Sequence, residues 1–119
     1  DIEEYIALTG DNNPIYSDPE VARMTGFEGS VVPGPLLGGM FSYLLGTKLP
    51  GRGTNYLKQS FRFSSPAYPN EEITASVEVV RLRPEKNLVD LRTLCTNTRG
   101  ENLCEGEALV LVRDLEKTV

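Results

Sequence analysis

"PLLGGMFSYLLG", residues 35–46, spreads Leu36, Leu37, Met40, Phe41, Tyr43, Leu44 and Leu45 around nearly the whole circumference of a helix. A helix that is apolar all round is buried on most sides. Pro35 suits its first turn, where the missing N–H costs nothing. Gly38, Gly39 and Ser42 leave room for a close approach to its backbone, either by a packed sheet or by a ligand chain. The spacing predicts a mostly buried helix over residues 34–46, with the rest of the chain arranged around it.

Downstream of residue 54 the apolar period changes to two. Leu57, Gln59, Phe61 and Phe63 alternate, as do Ile73, Ala75, Val77 and Val79. Val89, Leu91, Thr93 and Cys95 form a third set, and Cys104, Gly106, Ala108, Val110 and Val112 a fourth. Such alternation marks strands with one buried face. Between Val79 and Leu82 the alternation changes phase, which predicts a bulge. The turns "SSPAYPNE", "RPEKN" and "TRGEN" are short and therefore require antiparallel neighbours. The expected fold is α+β: an antiparallel sheet from residues 54–113 around one buried helix, with residues 1–119 forming a single domain.

Upstream, "DIEEYIALTG" places Ile2, Tyr5 and Ile6 on one helical face, with Leu8 as a further candidate and Gly10 as the stop. A polar loop, "DNNPIY", follows. Asp18-Pro19 then reads as an N-cap with proline at the first helical position, and Gly26 closes that short helix. A domain of 119 residues has little stability to spare, which makes association with a second copy through sheet edges an expectation. The net charge of −5 and the lack of a basic cluster argue against nucleic acid as a partner. No run approaches the roughly 18 apolar residues of a membrane span. Cys95 and Cys104 lie on neighbouring strands and are expected as buried free thiols. With no signal peptide in view, they point to a cytoplasmic setting. The chain begins at Asp1, so a missing short N-terminal segment stays open.

A long helix wrapped by an antiparallel sheet is the hot-dog architecture, and the residues carry a closer likeness. The chain resembles the MaoC-like (R)-specific enoyl-CoA hydratases and acyl-thioester dehydratases through "ALTGDNNPIYSDPEVARMTGFEGSVVPGPLLGGMFSYLLGTKLPG", "NYLKQSFRFSSPAYPNEEITASVEV" and "GEALVLV". The family's Asp-x-Asn-Pro-x-His loop is represented by Asp11, Asn13, Pro14 and Tyr16, and its Val-His-Gly by Val32-Pro33-Gly34. The resemblance implies water addition to a 2-enoyl thioester, with Asp11 as base, Asn13 orienting the loop and the Gly34 N–H donating to the thioester carbonyl. Ser42 matches a serine near the family's active site, although such a serine also serves helix packing. No cofactor or metal is implied, because coenzyme A or an acyl carrier protein arrives with the substrate. Lys48, Arg52, Lys58 and Arg62 could meet coenzyme A phosphates or simply keep the surface soluble.

Tyr16 departs from the pattern, and the chain contains no histidine at all. A phenol titrates near pH 10 when unperturbed, so at neutral pH it donates a proton but accepts one poorly. Three readings follow. Tyr16 supplies the proton while Asp11 acts as base, giving an altered hydratase. Alternatively the chain binds acyl thioesters without catalysis, or serves as the inactive half of a heterodimer. In the third, Asp11 activates water at the carbonyl and the chain is a thioesterase.

Overall fold

The computed structural model describes residues 1–112, so residue 113 of the expected sheet lies outside the described residues. Helices α1 (Ile2–Thr9), α2 (Pro19–Met24) and α3 (Gly34–Thr47) come first. Strands β1 (Thr54–Gln59), β2 (Arg62–Phe63), β3 (Thr74–Arg83), β4 (Leu88–Thr96) and β5 (Asn102–Val112) follow. They form an antiparallel sheet in the order β1-β5-β4-β3, with β2 also pairing with β5. This is the hot-dog arrangement.

The phase change in β3 is a bulge. Val79 pairs with Leu91 and Arg81 with Asp90, leaving Val80 as the extra residue. Just beyond it, half-buried Arg83 donates twice to Asp90, at 2.9 and 3.1 Å, and pins the strand register. The inward residues of β4 and β5 form the core floor, and Cys95 pairs directly with Cys104. Both are buried free thiols. Burial pushes Cys95 up to about 12 and raises Cys104 as well, so neither is a nucleophile at neutral pH.

On α3 the buried residues are Leu37, Phe41 and Leu45, one stripe at four-residue spacing. Leu45 packs on Val89, Leu91 and Val110, and Phe41 and Leu37 on Ala67, Cys95 and Leu103. The expectation of burial on most sides is therefore corrected. Ser42 is exposed and Tyr43 is 59% exposed, because one sheet covers only one side of a helix. Leu8, at 87% exposure, likewise faces away from the packed side of α1.

The phase expected for β1 holds at Gln59 and fails at Leu57. The pairing skips between Tyr56 and Lys58, so Tyr56 and Gln59 turn inward and Leu57 is 49% exposed. The inward pair has a polar task. Gln59 donates to the buried Thr93 hydroxyl at 3.0 Å and accepts from Tyr56, which satisfies a hydroxyl that would be costly to bury alone. Between β1 and β2 the carbonyl of Ser60 lies only 1.8 Å from where a Cβ on Gly106 would stand. Glycine is thus required at that crossing. Beyond the break Phe61 and Phe63 stack at 5.6 Å and lie against α3, in the space that Gly38 and Gly34 leave open.

Candidate active site

The loop after α1 is held mostly by its own side chains. Gly10 stops the helix in the left-handed conformation, at φ 75°. The Thr9 hydroxyl donates to the Tyr5 carbonyl at 2.8 Å and accepts the Asp11 N–H at 3.1 Å. Asn13 then accepts the Ile15 N–H at 3.2 Å, opening a single 3₁₀ turn, Pro14–Tyr16. One backbone bond carries that turn to the segment before α3, and a second ties the same segment to the chain between β2 and β3. The Val31 N–H donates to the Ile15 carbonyl at 3.0 Å, and the Val32 N–H to the Ala67 carbonyl at 2.7 Å.

As a result Tyr16 and Gly34 border one open cleft of about 540 Å³, with Ile15, Val31, Leu37 and Phe63 among its apolar walls. Gly34 is the first residue of α3 and is flanked by prolines. The first N–H groups of a helix have no acceptor within it and sit at the positive end of its dipole. The end of the cleft near Gly34 is thus suited to an oxygen that gains negative charge.

Asp11 and Asn13 do not line this cleft. Asn13 is occupied with the turn, and Asp11 stands beside Tyr16. The Tyr5 hydroxyl donates to Asp11 Oδ2 at 2.9 Å, and the rings of Tyr5 and Tyr16 meet edge-on at 6.3 Å. Both phenols titrate above their ordinary value of 10.0. For Tyr5 the main cause is its hydrogen bond to Asp11, followed by burial. For Tyr16 it is burial, followed by the negative charge of Asp11. At neutral pH both are proton donors.

Ser42 is not brought to Tyr16. It borders an adjoining groove of about 600 Å³ with Gly39, Tyr56, Gln59 and Phe61, and Pro35 and Phe63 edge both hollows. Lys58 reaches this second groove, Arg62 borders a separate concavity with Arg92 and Glu105, and none of the four sequence-flagged cations lines the Tyr16 cleft. Tyr5 and Phe63 are among the residues of the site that escaped sequence reasoning. Tyr5 read as a core-facing helix residue, and Phe63 as one of an alternating strand. The signal for Phe63 is Gly34, whose missing side chain leaves space for its ring, as Gly38 one turn later does for Phe61.

Residues 1–99 match the family described as the MaoC like domain. The chain is 42% identical over 110 residues to an (R)-specific enoyl-CoA hydratase of Aeromonas caviae, covering 92% of this chain and 82% of that one. It is 36% identical to a mitochondrial 3-hydroxyacyl-[acyl-carrier-protein] dehydratase of Arabidopsis thaliana, over 98% of this chain and 70% of the relative. The solved structure of the (R)-hydratase from A. caviae involved in PHA biosynthesis superposes with a TM-score of 0.88 at 41% identity, covering 93% of this chain and 84% of that one.

Proposed function

The chain belongs to the MaoC-like domain family, and from that membership we propose that it is a hydro-lyase acting on 2-enoyl and (R)-3-hydroxyacyl thioesters, with Tyr16 in the place of a histidine. The reading rests on one juxtaposition: Tyr16, beside the Asp11 carboxylate, and Gly34 border the same cleft. Water attacks C3 of the enoyl thioester while Asp11 takes its proton. The electron pair of the double bond moves toward the carbonyl oxygen, which is held by the Gly34 N–H. Pro33 and Pro35 have no N–H, so Gly34 is the sole donor of that tripeptide. Donors aimed at developing charge contribute a few kcal/mol in such reactions.

Tyr16 then gives its proton to C2, and the proton on Asp11 returns to the phenolate. The order follows from electrostatics. Ionising Tyr16 beside a charged Asp11 is unfavourable, as its raised titration indicates, but that penalty is relieved once Asp11 has taken the water's proton. A phenol is a weaker acid than an imidazolium, so we expect a slow enzyme. A second copy over the uncovered side of α3 fits the exposure of Tyr43, and the same face would serve a heterodimer.

The absence of any histidine favours one competing reading, an acyl-thioester binder or inactive partner subunit. Crotonyl-CoA and crotonyl-acyl carrier protein separate the two. The hydratase reading expects the purified protein to bleach the enoyl-thioester absorbance of at least one of them, and Asp11→Asn to reduce that rate by about 10²–10⁴-fold. Binding without turnover establishes the competing reading.

A further inference from the structure

Asp11 is held on two sides by one short segment. Its N–H is tied through the Thr9 hydroxyl to the Tyr5 carbonyl, at 3.1 and 2.8 Å, and its Oδ2 accepts from the Tyr5 hydroxyl at 2.9 Å. Main chain and side chain of Asp11 are thus both referred back to Tyr5, six residues earlier. The αL turn at Gly10 makes this possible by folding the chain back at the helix end. We propose that Tyr5 is a positioning residue for the hydratase reaction: its hydroxyl orients the Asp11 carboxylate, leaving the other carboxylate oxygen to take the proton of water.

The inference rests on the hydratase reading given above. A carboxylate without a partner rotates about its terminal bond, so its basic lone pairs point at a reacting water only part of the time. Orientation is a large share of what a site contributes to rate. Where a histidine would share that task, this chain has none, and Tyr16, which also hydrogen-bonds toward Asp11, has its proton committed to C2. Tyr5 can hold the carboxylate without being consumed, since its own proton stays on the phenol through neutral pH. The edge-on contact at 6.3 Å also braces the Tyr16 ring, so one residue steadies both the base and the acid.

Tyr5→Phe keeps the ring and that contact while deleting the hydroxyl. A hydrogen bond to a charged group is worth about a tenfold change or more. We expect kcat on crotonyl-CoA to fall by at least about tenfold, with KM within about twofold and the thermal midpoint unchanged. A merely structural Tyr5 would instead lower the thermal midpoint and the active fraction together, and leave kcat per folded molecule intact. A second measurement does not depend on turnover. Tyrosinate absorbance during alkaline titration should show two of the five tyrosines ionising at lower pH in Asp11→Asn than in the parent. An active parent with unchanged kcat in Tyr5→Phe, or an unaltered titration in Asp11→Asn, overturns the role of Tyr5 and leaves the hydratase reading standing. A parent inert on every enoyl thioester overturns both.

Discussion

In the proposed reaction Tyr16 is the acid and Asp11 the base, and the Asp11 carboxylate is one of the causes that raise the titration of Tyr16. The acid role needs Tyr16 in its protonated form, and its titration is raised above 10.0. It is therefore in the working form at all pH values below that range and loses it as pH rises through it. The parent's rate should hold from pH 7 into the alkaline range and fall only beyond about 10, with no step near the imidazole value of about 6.5. Tyr16→His should raise the rate and introduce that step, whereas Tyr16→Phe should lower it by about 10²-fold or more. A Tyr16→His variant that folds, binds enoyl-CoA and stays inert would contradict the acid role. The loop that carries Asp11, Asn13 and Tyr16 stood out in the sequence because a six-residue motif is local, yet of the three only Tyr16 borders the cleft. Tyr5 did not stand out, since its apolar ring counted toward the helix face and its hydroxyl meets Asp11 only once Gly10 turns the chain back.

At the scale of elements, α3 carries the fold through a narrow stripe. Phe41 is fully buried, sits between the sheet and Phe61, and stacks on that ring at 6.3 Å. Phe41→Ala should cost about 3–5 kcal/mol, read as a drop in the denaturation midpoint; a loss below about 1 kcal/mol would mean that Phe61 collapses into the space. The helix, the strands β3 to β5 and the bulge at Val80 were all readable from apolar period. β1 was not. The expected phase grouped Leu57 with Gln59. A register shift between Tyr56 and Lys58 instead turns Tyr56 inward in place of Leu57, while Gln59 still meets the buried Thr93 hydroxyl. Period alone does not reveal such a shift.

The whole molecule is an elongated plate of 53 × 30 × 19 Å, with a radius of gyration of 16.3 Å, against about 13 Å for a compact chain of roughly this length. Leu57, Phe61 and Phe63 are exposed along one groove beside α3, and Tyr43 borders another groove of the same helix. Two copies covering one another's α3 would bury them, so sedimentation should find a dimer, and a monomer at micromolar concentration would contradict that assembly. The same exposed side explains why burial all round α3 was misread. An apolar helix surface reports that it will be covered, but not whether its own chain supplies the cover. The central claim concerns the bond that water forms, and one measurement decides it: mass analysis of the product made from crotonyl-CoA in water enriched in heavy oxygen. The account predicts one heavy oxygen in an intact 3-hydroxybutyryl thioester. Heavy oxygen in a free acid with release of the thiol, or recovery of unchanged crotonyl-CoA, would contradict it.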